Sequence, residues 1–139
     1  MKNVAFKLVG YTCICYYNAF APTEHDHRDS IQFFRKLDFD RIKLLAITEG
    51  GAPSTMQRKD FNDALRGHQP PLALLTDSSL VRGAITAYSW FNKNIRAFPR
   101  ANLADALSYL GVPELQYGKM EREVNGLREQ VSGYMGEAG

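Results

Sequence analysis

The chain has 139 residues, 45% of them apolar and 23% charged, with a formal charge of +2 at pH 7. That suits one domain with an ordinary core, gives no support to nucleic-acid binding through bulk charge, and leaves no window near the ~18 consecutive apolar residues of a membrane span. Charge is uneven: residues 1–112 carry fourteen Lys/Arg against ten Asp/Glu, and residues 113–139 carry three against five.

The N-terminal "MKNVAFKLVGYTCICYY" alternates apolar with polar residues and lacks the apolar h-region of a secretory signal, so a cytoplasmic location is expected. Val4 to Val9 reads as a strand, Gly10 as punctuation, and Tyr11 to Tyr17 as a second strand rich in aromatic and β-branched residues. The short connection predicts an antiparallel hairpin. Cys13 and Cys15 stand at i and i+2, which points both to one face of that strand. A bridge between them would strain the backbone, so they read as two reduced thiols. No further metal ligand is evident beside them, and no metal is expected.

"APTEHDHRDSIQFFRKL" opens a helix. Pro22 precedes Thr23, a good N-cap, acidic residues follow in the early turns, and Ile31, Phe34 and Leu37 supply an apolar face. His25 and His27 lie two apart, about 200° around a helix, and cannot easily share an ion. They read as solvated residues, and His68, by a turn, has no evident partner. "IKLLAIT", Ile42 to Thr48, fits a strand buried on both faces. "PSTMQRKDFNDALRG" is a helix capped by Ser54 or Thr55. "PLALLT", Pro71 to Thr76, repeats the buried-strand pattern, and Asp77, Ser78 and Ser79 start a helix through "LVRGAITAYSWF". Tyr88, Trp90, Phe91 and Phe98, with basic residues nearby, read as core or interface aromatics before a nucleic-acid surface. "IRAF" is a last strand, and "ANLADALSYLG" a helix ended by Gly111 and Pro113.

The order is ββαβαβαβα, an α/β fold with a mixed, mostly parallel sheet, an N-terminal antiparallel hairpin and right-handed crossovers. Residues 1–112 form this unit and 113–139 a C-terminal amphipathic helix or tail. In the tail Met120, Val124, Leu127, Val131 and Tyr134 are spaced 4, 3, 4 and 3, an a/d seam. Two heptads with Gly126 and Gly133 among them are too weak to stand alone. The seam either folds back on its own domain or meets a partner helix or a second copy.

Ligands in parallel α/β sheets meet the loops at the carboxyl ends of the strands. In "TEGGAPST", Gly50 and Gly51 let backbone amides approach an anion, with Ser54 and Thr55 at the following helix start. In "TDSS", the hydroxyls of Ser78 and Ser79 beside Asp77 can hold or accept a phosphate, with Arg82 one turn on. All of these residues also cap helices or turn chains. Neither Gly-x-Ser-x-Gly nor a Walker loop is present, and no general acid–base pair stands out, so no catalytic residue and no cofactor are expected.

The ββαβαβαβα order, the length of about 110 residues and the Asp-Ser-Ser at a strand-to-helix turn resemble STAS domains, which include the anti-sigma-factor antagonists. "AITEGGAPSTMQRKDFNDAL" and "ALLTDSSLVRGAITAYSWFNKNIRAF" are more similar to divergent bacterial STAS-like proteins than to the antagonists proper. The resemblance covers roughly residues 1–112. It implies a non-enzymatic regulatory module that binds a protein partner, switched by phosphorylation of a serine that matches Ser78 or Ser79. This sequence has Leu80 in place of the glycine after the serine pair, and its "TDSS" follows the fourth strand where the family's acceptor follows the third. The expected function is a protein-interaction module acting through loops 48–55 and 76–82 and the tail helix. The alternative is a domain that binds a nucleotide or another phosphorylated small molecule.

Overall fold

The computed structural model describes residues 2–79, 81 and 94–131. Strands β1 (Val4–Val9), β2 (Thr12–Tyr17), β3 (Lys43–Thr48), β4 (Leu72–Leu75) and β5 (Ile95–Phe98) lie side by side in that order in one five-stranded sheet. β1 and β2 pair antiparallel, and β2 through β5 pair in parallel. The described helices are α1 (Glu24–Phe34), α2 (Thr55–Leu65), α3 (Leu103–Tyr109) and α4 (Tyr117–Gln130), with a 3₁₀ turn at Glu114–Gln116. The predicted order therefore holds for every described element. The helix expected through residues 80–93, with Arg82, Tyr88, Trp90 and Phe91, lies outside the described residues except at its start.

The local signals act as their chemistry dictates. Thr23 caps α1 in a reciprocal box: its hydroxyl accepts from the Asp26 amide, and the Asp26 carboxylate accepts from the Thr23 amide. The same carboxylate oxygen accepts from the Asn3 amide at 3.1 Å, tying the helix to the start of β1. Ser54 and Gln57 form the equivalent box on α2. Gly111, at φ +75°, ends α3 in the left-handed conformation that glycine tolerates.

Period-2 alternation divides the sheet into two faces. On one, Ala5, Ile14, Tyr16, Leu45, Ile47, Ala73 and Leu75 form a continuous core with α3 and α4. On the other, Phe6 packs against Phe33 of α1, and Phe34 meets Phe61 of α2 edge-on. α1 and α2 lie in contact. His27 joins them: it is buried, its Nε2 is 2.8 Å from an Asp60 carboxylate oxygen, and Phe61 stands edge-on to its ring. This corrects the reading of His27 as solvated, because a histidine that turns inward can bring a surface carboxylate with it. His25 is the exposed one, paired with Asp29 one turn on. His68 also has a partner, Asp40 at 3.4 Å, forty positions too remote in character for a local pattern to suggest it.

The tail seam is corrected too. Met120, Val124, Leu127 and Val131 are all buried in the core they share with Ile14, Tyr16 and Leu45, and α4 lies against β1 and β2. Lys7 of β1 bonds Glu123 of α4 at 2.6 Å across that contact. These four side chains are thus not a seam for a partner helix, because the sheet already occupies it. Tyr134 lies outside the described residues. Each such side chain contributes roughly 1.5–3 kcal/mol when fully buried. Leu127→Ala is therefore expected to lower unfolding free energy by about 2–5 kcal/mol. Leu115→Ala, at a residue 99% exposed in the adjoining turn, should stay within about 0.5 kcal/mol. Urea titration of the two variants against the parent measures both.

Candidate functional site

The carboxyl ends of β2, β3, β4 and β5 converge with the loops that follow them. The loop after β2 is held from within: the Asn18 amide donates to the Asn3 carbonyl, its side-chain amide donates to the Asn3 side chain, and the Phe20 amide donates to the Asn18 side chain. The loop after β3 is laid on top of it. The Gly51 amide donates to the Asn18 carbonyl at 2.9 Å, and the Gly50 amide donates to the Thr48 hydroxyl at 3.0 Å. The Thr48 hydroxyl in turn donates to the Gly51 carbonyl. A Cβ on residue 51 would sit 2.1 Å from the Phe20 carbonyl oxygen and 2.7 Å from that of Asn18. Glycine is required there because two backbones touch.

This corrects the anion-loop reading of Gly50 and Gly51. Their amides are bonded within the chain, so they are not presented to a ligand. Ser54 caps α2, and the Thr55 hydroxyl accepts from the Arg58 guanidinium at 3.3 Å. The spacing of small residues was legible, but a loop that approaches a ligand and a loop that approaches another loop need the same glycines.

The loop after β4 divides its polar residues among distinct tasks. The Thr76 hydroxyl, fully buried, accepts from the Ser78 amide. The Ser78 hydroxyl accepts from the Val81 amide at 3.2 Å, the bond of an N-cap. Asp77 is exposed, and its carboxylate accepts from the Arg100 amide at 3.0 Å, joining this loop to the one after β5. Ser79 is exposed at the helix start. Arg82 lies outside the described residues.

Sequence reasoning missed a cluster at this edge. Tyr16 of β2 is 1% exposed, yet its hydroxyl reaches the loops: it donates to the Glu49 carboxylate at 2.5 Å and accepts from the Arg100 guanidinium at 3.4 Å. The guanidinium carbon stands 5.7 Å from the centre of the Tyr16 ring, within cation–π range. Burial, and then the bond to Glu49, push the Tyr16 phenol above its ordinary range, while Arg100 pulls the other way. Glu49 follows β3 and Arg100 follows β5, so the three meet only through the sheet. Their sequence separations, 33 and 84 residues, left no local pattern to find. Among the described residues no group of three or more His, Cys, Asp or Glu side chains is arranged to hold a metal.

A scan against protein-family models finds no match, and neither does a search of curated proteins. Among solved structures, the chain is similar to an uncharacterized protein of the DUF3478 family with a SpoIIAA-like fold from Shewanella loihica PV-4, at 17% identity and a TM-score of 0.55. The alignment covers 79% of this chain and 95% of that one. The fold is SpoIIAA-like. This agrees with the STAS resemblance read from the ββαβαβαβα order, and at this identity the agreement concerns the fold alone. No helix among the described residues is long and apolar enough to cross a membrane.

Two outcomes test the edge. Gly51→Ala should cost about 2–3 kcal/mol, because the obstacle is backbone that cannot rotate away. Denaturant titration with an unchanged slope identifies it as a local clash. For Tyr16, a folded pKa raised above the unfolded value near 10 means that the unfolded chain loses the proton first. Its contribution is thus complete below about pH 10 and is lost as pH rises through the folded pKa. Tyr16→Phe should be less stable than the parent at pH 7, and the gap should narrow above about pH 10, read as denaturant midpoints across pH.

Proposed function

We propose that the chain is a non-enzymatic regulatory module that binds a protein partner through its carboxyl-edge loops, residues 48–55 and 76–79, and that Ser79 is the hydroxyl on which binding is switched. What carries this reading is the division of labour between two adjacent serines. Ser78 is half-buried and its hydroxyl receives the Val81 amide, whereas Ser79 is exposed beside it. A kinase must reach its acceptor, and the acceptor must be dispensable to the fold. Ser79 meets both demands better than Ser78. The SpoIIAA-like fold supports the regulatory class.

In the switching step a partner kinase supplies a nucleoside triphosphate. The Ser79 Oγ–P bond forms, the bond from that phosphorus to the diphosphate breaks, and the hydroxyl proton passes to the kinase's base. The product gains about −1.5 to −2 charge and three acceptor oxygens. It stands two residues from Asp77, which repels it, and near the loop of Arg100, which Asp77 holds by the backbone. Exposed Phe20 and Met56, on the neighbouring loop and helix start, add apolar contact area at the same edge of the sheet. The small-ligand alternative has less support, because the Gly50 and Gly51 amides that motivated it are already bonded.

Native and intact-mass spectrometry of protein isolated from its own host tests the reading. Phosphate is expected on the peptide containing Ser79, absent in Ser79→Ala and retained in Ser78→Ala. A co-purified protein is expected to be lost in Ser79→Glu. Ser79→Ala should change stability by less than about 0.5 kcal/mol, while Ser78→Ala costs about 0.5–2 kcal/mol through the cap. A chain that carries neither phosphate nor protein partner would refute the proposal.

A further inference from the structure

A second chemical feature lies away from these loops. Cys13 and Cys15 flank Ile14 on β2 and point to the sheet face opposite α3 and α4. Both are free thiols, with sulfurs 3.9 Å apart. β2 is paired on both edges, so the strand holds the pair rigidly: Cys13 stands opposite Leu8 and Leu44, and Cys15 opposite Phe6 and Ala46. Those neighbours are all apolar. Cys13 is fully buried, and Cys15 is partly exposed, which gives a reagent a way in.

The spacing suits a shared ligand better than a disulfide. Positions i and i+2 of a strand place Cα atoms about 6.6–6.8 Å apart, at the outer limit for a bridge. Two sulfurs that share one tetrahedral centre with bonds near 2.3 Å stand about 3.8 Å apart. A tetrahedral metal would need two more protein ligands, and no such group exists among the described residues. The occupant must therefore be satisfied by two thiolates. It must also leave the site uncharged, since the surroundings offer apolar side chains to an anion. The hydrogen bond between the thiols, together with burial, holds the Cys13 thiol well above the ordinary thiol range, in keeping with that demand.

We propose that Cys13 and Cys15 form a dithiol site for a trivalent, monosubstituted thiophilic centre of the organoarsenical class. An arsine oxide R–As=O reacts with both thiols: two As–S bonds form, the As–O bond breaks, and the oxygen leaves with the two thiol protons as one water. No oxidation state changes, and the product is neutral and three-coordinate. The strand supplies the bite, and the apolar neighbours favour the uncharged product over a pair of free thiolates.

Phenylarsine oxide and the folded, reduced full chain test this. Native mass spectrometry should show one phenylarsenic unit per chain with loss of one water. The adduct should survive excess monothiol and be removed by a dithiol, and both free thiols should disappear from a thiol titration. Cys15→Ser and Cys13→Ala should each abolish the monothiol-resistant adduct; alanine is used at 13 because a buried hydroxyl there could unfold the chain. An adduct that persists in either single variant overturns the proposal. So does the absence of an adduct on the folded chain when the same chain forms one in urea.

Discussion

The sheet buries side chains on both faces, and that demand organises the molecule. Ile14 and Tyr16 point one way from β2, and Cys13 points the other, all of them almost wholly withdrawn from water. Each face must therefore be roofed. In a sheet whose strands follow one another in order, right-handed crossovers deliver their helices to a single face. α1 and α2 cover that side. The opposite face needs helices that are not crossovers, and α3 and α4, after the last strand, supply them. This is why the C-terminal segment is part of the core and why Met120, Val124, Leu127 and Val131 are apolar.

With both faces covered, what remains for recognition is the rim of the sheet and its loops. At the carboxyl rim the loops are braced against one another: Gly51 lies under the carbonyls of Asn18 and Phe20, and Asp77 holds the Arg100 amide. Such bracing makes the surface a fixed shape, which lowers the ordering cost of binding. It also links the surface to the interior, because Tyr16 packs in the core while its hydroxyl is shared by Glu49 and Arg100.

How far these features were legible depended on the range over which they act. The strands and caps are local: apolar runs marked β3 and β4, and Thr23 and Ser54 each announced a helix through residues at most three positions away. Both boxes formed as expected. The a/d spacing of the tail was also read correctly as a helix face, but a 3.5-residue apolar repeat states only that something covers the face. A sheet of the same chain and a helix of another chain produce the same pattern. The glycines at 50 and 51 carried a similar ambiguity, resolved only when the Asn18 loop came into contact. The Tyr16, Glu49 and Arg100 cluster and the His27–Asp60 pair were beyond reach, since each joins elements that only tertiary folding brings together.

The two serines show how structure sharpens a motif without replacing it. Asp-Ser-Ser at a strand end satisfies two requirements that compete for the same atoms: a helix start needs an acceptor for its amide, and a switch needs a hydroxyl that reacts. One serine cannot do both well, because phosphorylating the cap removes an acceptor that holds the helix and places a bulky dianion in a half-buried position. A doubled serine separates the tasks. Ser78 keeps the backbone bond while Ser79 faces outward, so a charge added at 79 changes the surface and leaves the strand-to-helix turn intact. The same logic gives Asp77 its place: its carboxylate accepts the Arg100 amide, so the neighbouring loop keeps its position when the electrostatics beside it change.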